Sequence, residues 1–304
     1  MQYQWYPGHM TKAMRMMKEN LSLVDLIIEL TDARVPVSGR NPALKELAKN
    51  KVRLVILTKT DLADESVNRA WQEYFSKEES VLLLNSKDKG NVKKVRAAID
   101  ASMKEKRNAQ IAKGIVGRPV RAMVVGIPNV GKSTLINALS GRASAKTANR
   151  PGVTKGKQWI SLDSGLQLLD TPGVLWPKFE DEVTGLHLAF IGSMNDDNID
   201  LSDLALQLVV AILPHYRAAL IERYGILEEQ VSADKADKMR SVMLSPDPRV
   251  YEALPYLYAV AENYKLLKKG AVPDTERAAK LIIDDFRNGR LGRISIERPK
   301  EIHE

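Results

Sequence analysis

Cysteine is absent from this 304-residue chain, and histidine occurs only four times. The first absence excludes disulfides, cysteine-ligated zinc and thiol nucleophiles, and it fits a reducing, cytoplasmic setting. Of the histidines, His187, His215 and His303 have no ligand-like spacing, so no structural metal site is expected. No uncharged apolar run approaches the roughly 18 residues needed to span a bilayer, which argues against a membrane partner. The first twenty residues hold no continuous apolar segment of the secretory kind. With 44% hydrophobic and 28% charged residues, disorder and collagen-like composition are excluded as well. The length suits two domains with buried cores.

The charge is present but unevenly placed. The whole chain is +8 at pH 7, with 46 basic against 38 acidic residues. Residues 1–178 hold 30 basic and 16 acidic residues (+14), whereas residues 179–304 hold 16 and 22 (−6). Eleven basic and three acidic residues lie between positions 87 and 121, and five basic residues with no acid lie between 142 and 157. Such an asymmetry implies two units facing different surroundings, the first of them suited to an acidic partner.

Short apolar runs alternate with amphipathic stretches over the first 178 residues. Residues 23–30, 52–57, 81–84, 120–126, 159–162 and 166–169 read as strands. Residues 41–50, 64–77, 91–108 and 132–140 read as helices between them. This alternation predicts an α/β fold, a doubly wound and mostly parallel sheet with ligands at the carboxyl ends of its strands. Beyond residue 178 the strand signal stops. Helices are expected at 186–193, 201–213, 216–224, 252–267 and 275–288, giving a smaller all-α domain over 179–289. The polar stretch 290–304 reads as a loosely held tail.

Gly126-Ile127-Pro128-Asn129-Val130-Gly131-Lys132-Ser133 fits the phosphate-loop pattern G-x-x-x-x-G-K-[ST], with a strand entering and an apolar helix leaving. Its glycines let backbone N–H groups turn onto phosphates, and the helix N-terminus adds positive potential. Lys132 would reach the β- and γ-phosphates and Ser133 would ligate Mg²⁺. Backbone amides of Val130, Gly131, Lys132, Ser133, Thr134 and Leu135 would line the α/β-phosphates. Asp170-Thr171-Pro172-Gly173 ends a strand as a D-x-x-G switch does. Asp170 would hold Mg²⁺ through water, and the Gly173 N–H would reach the γ-phosphate. Thr154 lies between the two motifs and is the natural second hydroxyl for Mg²⁺.

A phosphate loop does not separate ATP from GTP. That choice falls to Thr58-Lys59-Thr60-Asp61 and Asn85-Ser86-Lys87, each following an apolar strand. The first resembles the guanine-reading N-K-x-D motif. A carboxylate at Asp61 accepts bonds from guanine N1 and N2, where adenine offers an acceptor and no amine. Lys59 would lay its stem along the base, with Ser86 and Lys87 closing the other side. Thr58 stands where asparagine is usual, which weakens the base-side or loop-fastening bond of that amide.

In ordinary small GTPases the base-reading motifs follow the phosphate loop; here they precede Gly126. The order resembles that of circularly permuted P-loop GTPases. Trp5-Tyr6-Pro7-Gly8-His9-Met10, Asp32-Ala33-Arg34-Val35-Pro36 and Trp176-Pro177-Lys178-Phe179-Glu180 narrow the resemblance to the bacterial ribosome-biogenesis GTPase A family (RbgA/YlqF). The resemblance implies a GTP-hydrolysing switch in late assembly of the large ribosomal subunit, with GTP/GDP and Mg²⁺ as ligands. The implied partners are large-subunit precursors and ribosomal RNA, contacted also by the helical domain, where Lys265, Lys268 and Lys269 are candidates on one predicted helix. A monomer is expected.

Val174 occupies the place of the water-orienting glutamine of many small GTPases, so hydrolysis by the chain alone should be slow. The resemblance makes His9, on the Pro7-Gly8 turn ahead of a helix, the candidate to position water. Asn129 resembles the asparagine that helps hold K⁺ in potassium-responsive GTPases. Two other readings remain open at this stage: a P-loop NTPase acting on a small molecule, and a GTP-dependent RNA-binding protein with negligible hydrolysis.

Overall fold

The computed structural model describes residues 7–85, 88, 90–141, 158–162, 165–173, 175, 181–232, 234, 237 and 247–299. The side chains of residues 7–13, 45, 47, 158 and 198 also lie outside that description. The chain forms two compact units, Met1–Leu188 together with Glu297–Glu304, and Ala189–Ile296. The boundary thus falls at Leu188 rather than at the 178 expected from the change in pattern.

In the first unit, helix α1 (Pro7–Asn20) precedes β1 (Leu26–Asp32), α2 (Pro42–Leu47), β2 (Val52–Thr58), α3 (Glu65–Ser76) and β3 (Ser80–Leu84). The long α4 (Asn91–Ala112), β4 (Val120–Gly126), α5 (Lys132–Ser140), β5 (Gln158–Leu162) and β6 (Leu166–Asp170) follow, and α6 (Glu182–Phe190) runs across the boundary. The described strands make one six-stranded sheet in the order β3-β2-β1-β4-β6-β5, with only β5 antiparallel. All seven residues of β1 are buried, as a strand paired on both edges and covered on both faces requires.

Register brings the carboxyl ends together. Asp32 pairs with Thr58, Leu30 with Gly126, Thr58 with Leu84 and Val124 with Asp170. The turns after β1, β2, β4 and β6 therefore leave the sheet at one end, where open α/β sheets bind ligands. Helix α1 begins at Pro7, a residue whose fixed φ and missing N–H suit a first helical position. His9 consequently lies inside the first turn of α1, not ahead of it.

The second unit is helical, with α7 (Leu201–Tyr224), α8 (Val250–Asn263) and α9 (Thr275–Arg287). The expected division of α7 is present as a kink: Pro214 lies within the helix and Tyr216 leaves helical geometry (φ −131°, ψ 23°). By length and composition α7 is apolar enough to cross a membrane, with a mean hydropathy of 1.6. A search for uncharged runs misses it because Asp203 and Arg217 cut the uncharged stretch short. Its Leu204, Leu208, Val209, Ile212 and Leu220 are buried, and α7 packs against α8 and α9.

Two expectations are corrected here. Helix α8 stops at Asn263, so Lys265, Lys268 and Lys269 do not share a helix face. Lys265 has φ 53°, Leu267 bridges Pro273, and Lys268 N–H donates to Val272 O at 2.8 Å, because Gly270 and Pro273 turn the chain back on itself. The described part of the expected tail, residues 290–299, is not loosely held. Leu291, Ile294, Ser295 and Glu297 are buried, and Ser295 N–H donates to the Tyr216 hydroxyl at 3.1 Å. Its apolar residues are too widely spaced to register as a pattern, while Arg290 pairs with Asp285 and Glu297 meets His187.

Candidate nucleotide-binding site

The turn from β4 into α5 is shaped for close backbone approach. Gly126 has φ 150°, and a Cβ there would stand 2.4 Å from the Leu30 carbonyl oxygen, so only glycine lets the loop leave across the end of β1. Asn129 (φ 59°) and Gly131 (φ 101°) are also left-handed, and α5 begins at Lys132. A helix leaves its first N–H groups without intrahelical partners, so this turn presents amides and a positive helix end. Val130 and the Leu135 side chain are buried in the core, Ser133 is half-buried and Thr134 is exposed.

Lys132 is buried, its Nζ donating to Ile127 O (2.7 Å) and Gly126 O (3.2 Å). Burial pushes its ammonium down to about 8, with Asp170 pulling the other way. Asp170 is buried at the end of β6, and the next residue, Thr171, is pinned through Oγ1 to Val124 O at 2.7 Å. Gly173 then lies directly on the phosphate loop: a Cβ would be 2.7 Å from Pro128 N and Cα and 2.9 Å from Lys132 Nζ. Lys132, Asp170 and Gly173 are thus brought together. Amides and an ammonium suit a polyphosphate, while the Ser133 hydroxyl and the Asp170 carboxylate are the hard oxygen donors that Mg²⁺ takes.

The base side is built on the turn after β2. Thr58 is buried, and its hydroxyl proton is shared between Val130 O (2.9 Å) and Thr31 O (3.1 Å). The hydroxyl therefore performs the loop-fastening task expected to suffer from the loss of asparagine. Lys59 is left-handed (φ 56°), and its Nζ is 3.0 Å from Asp32 Oδ2. Burial lowers the Lys59 ammonium, and Asp32 offsets part of that. Leu62 N–H closes the turn onto Lys59 O at 2.9 Å, and Asn68 Nδ2 donates to Thr60 O at 3.0 Å. Asp61 sits half-buried in this turn. Thr60 N–H reaches Leu84 O at 3.4 Å, joining the turn to the end of β3 from which Ser86 and Lys87 continue.

One part of this arrangement escaped the motif reading. Asp32 is fully buried and receives Arg34 in a fork, Nε to Oδ1 at 2.9 Å and Nη2 to Oδ2 at 2.8 Å, with Arg34 N–H on Oδ1 at 3.1 Å. Burial alone would raise the Asp32 carboxyl, but Arg34 and Lys59 hold it well below the usual carboxylate range. The signal was the Asp-Ala-Arg triplet at the end of an apolar strand, a spacing that lets one carboxylate cap its own turn and hold a guanidinium. Ser86, Lys87, Thr154 and Val174, the basic cluster 142–157 and the His9 side chain lie outside the described residues.

Comparison with known proteins places this geometry. Residues 121–241 match a family described as a 50S ribosome-binding GTPase. The chain is 40% identical to a Bacillus cereus protein named ribosome biogenesis GTPase A, over 99% of this chain and 95% of that one. It is 33% identical to a Thermotoga maritima protein of the same name, covering 98% and 95%. The solved structure titled GNP-bound YlqF from T. maritima superposes with a TM-score of 0.60 at 28% identity, over 95% of this chain and 99% of that one. Identity of 33–40% over nearly the full length of both chains leaves one conclusion: the chain belongs to the ribosome biogenesis GTPase A family.

Proposed function

We propose that this protein is a GTP-hydrolysing switch that acts on precursors of the large ribosomal subunit late in their assembly, in the cytoplasm and as a monomer. The observation that carries the reading is the joining of three motifs at one sheet end: Thr58 bonded to Val130, and Gly173 seated against Pro128 and Lys132. Base turn, phosphate loop and switch are then one unit, and a change at the γ-phosphate is felt at Gly173. Because Gly173 is followed by the chain leading to the helical unit, release of its γ-phosphate bond is the event passed on to the partner.

Hydrolysis requires a water in line with the γ-phosphorus and compensation of charge on the equatorial oxygens. Lys132, the amides from Val130 to Leu135 and the Gly173 N–H supply that charge compensation. Mg²⁺, held by Ser133, Thr154 and, through water, Asp170, would neutralise the β- and γ-oxygens. Asn129 is assigned to K⁺ and His9 to the attacking water. Asp61 and Lys59 read guanine, and Ser86 and Lys87 cover it. Ribosomal RNA is the acidic partner for the basic segments 87–121 and 142–157 and for Lys265, Lys268 and Lys269.

Turnover of GTP measured with and without purified large subunits tests the reading. Stimulation that falls with salt is expected, and replacing Lys93, Lys94 and Arg96 together should flatten the log–log salt slope of binding by about two units, at 0.7–0.9 per phosphate contact. Equal turnover with and without subunits, or salt-insensitive binding, would sink it.

A further inference from the structure

Glu297 is the first residue of the chain after the Ala189–Ile296 unit, yet it is 6% exposed and embedded in the first unit. Its carboxylate accepts Val37 N–H at 2.6 Å and Ser38 N–H at 2.9 Å. His187 Nδ1 stands 3.1 Å from the same carboxylate and 3.0 Å from Ser38 Oγ. Glu297 N–H donates to Arg34 O at 3.1 Å, and its carbonyl accepts Trp71 Nε1–H at 3.0 Å from a fully buried indole. Every polar group of this residue is therefore engaged, and all but the Trp71 and His187 bonds go to backbone groups of residues 34–38.

Those residues form the turn that carries the Asp32–Arg34 fork. The turn has little slack: Val35 N–H returns to Asp32 O at 3.0 Å, Gly39 N–H to Val35 O at 2.8 Å, and a Cβ on Gly39 would stand 2.2 Å from Thr31 Oγ1. Moving the Arg34 backbone drags its guanidinium, and with it the Asp32 carboxylate that fixes Lys59 Nζ at 3.0 Å. Lys59 keeps a left-handed backbone, a conformation that persists only where its surroundings impose it.

We propose that Glu297 is a positioning residue for guanine recognition, acting through residues 34–38 and the Asp32–Arg34 pair on Lys59. The proposal rests on the reading of Lys59 and Asp61 as the base-side residues. It makes a residue distant in sequence part of the support of the nucleotide site within the first unit: that site is fully shaped only when Glu297 is seated. His187, one residue before Leu188, ties the outgoing passage of the chain to the same carboxylate.

The test is calorimetric titration of the full chain with GDP, with heat denaturation confirming that each variant is folded. Loss of the carboxylate leaves the buried Ser38 N–H and the part-buried Val37 N–H without their acceptor, so Glu297→Ala should weaken GDP about tenfold, and Glu297→Gln, which keeps one acceptor, about threefold. Trp71→Phe, which removes the Nε1–H together with part of the buried ring, should weaken GDP about twofold and serves if Glu297→Ala does not fold, its effect in the Lys59→Ala background separating the lost bond from the lost packing. In a Lys59→Ala background the Glu297 and Trp71 effects should shrink below about twofold, the mark of coupling that a purely structural role would not produce. A folded Glu297→Ala with wild-type GDP affinity overturns the proposal alone, as does an undiminished loss in the Lys59→Ala background. Wild-type affinity in Lys59→Ala itself overturns the base-side reading and the proposal with it.

Discussion

The Thr58 hydroxyl lies 2.9 Å from the Val130 carbonyl oxygen, so the turn after β2, proposed to read the base, is bonded to the loop between β4 and α5, proposed to hold the phosphates. One proton serves this acceptor and Thr31 O at 3.1 Å. Thr58→Val keeps the shape and deletes the donor, leaving two buried carbonyls without it. A stability loss of about 1 kcal/mol is expected, together with weaker binding of GTP and GDP alike. Thr58→Ser should retain both. Denaturant midpoints and GDP titration check this, and a Thr58→Val chain as stable and as tight as the parent would remove the bond from the account.

In the proposed function, specificity for guanine rests on Asp61. Losing one charged acceptor at the base costs about 1.5–3 kcal/mol, so Asp61→Asn should weaken GDP by one to two orders of magnitude and improve xanthosine diphosphate. Competition between the two nucleotides reads this directly. Should ATP bind the parent chain as tightly as GTP, the assignment of the turn after β2 fails.

At Gly173 space decides. Its φ lies outside the left-handed range, so alanine is allowed by the backbone, but the added Cβ meets Pro128 at 2.7 Å and Lys132 Nζ at 2.9 Å. Gly173→Ala should hold the switch off the phosphate loop and lower GTP turnover about tenfold or more, while GDP affinity changes less than about twofold. Single-turnover hydrolysis and GDP titration measure the two effects. Unchanged turnover would mean that Gly173 does not approach the γ-phosphate.

Lys132 links the site to pH. Its folded value of about 8 lies below the ordinary 10.5, so between these values the unfolded chain carries more protons. Stability of the nucleotide-free protein should therefore gain as pH rises from 8 towards 10.5, and the penalty is fully present below 8. Phosphates restore the charged form, so GDP binding near pH 8.5 should take up protons. Titrations in two buffers of different ionisation enthalpy measure that uptake, and its absence would show that Lys132 is already fully charged.

Much of the first unit was readable because its strands are short apolar runs and its phosphate loop is a contiguous pattern. The five parallel strands after α1 and the antiparallel β5 all fall where the alternation places strands, with β1 shifted to Leu26–Asp32 because Asp25 marks the true entry. The kink near Tyr216 was also legible, since Pro214 cannot donate within a helix. What was not legible depends on distance in sequence. Nothing near Glu297 signals that it will meet residues 34–38, and Thr58 reads as a weakened motif until its hydroxyl is seen beside Val130. The lysines after Asn263 were misplaced because their apolar neighbours Leu266 and Leu267 continue a helical spacing that Gly270 and Pro273 break.

The position of β4 in the sheet has a consequence for synthesis. Strand β1 pairs with β2, which follows it closely, and with β4, which is made only after α4 is complete. A ribosome translating this protein therefore releases β1, β2 and β3 as a sheet whose β1 edge is open and begins with the apolar run Leu26–Ile28. Such an edge is the kind of surface on which chains aggregate. The basic α4 emerges next, keeping the unfinished chain charged until Val120–Gly126 closes the gap. The order of motifs that sets this family apart thus fixes the order of its birth: the guanine half first, waiting on the phosphate half to seal it.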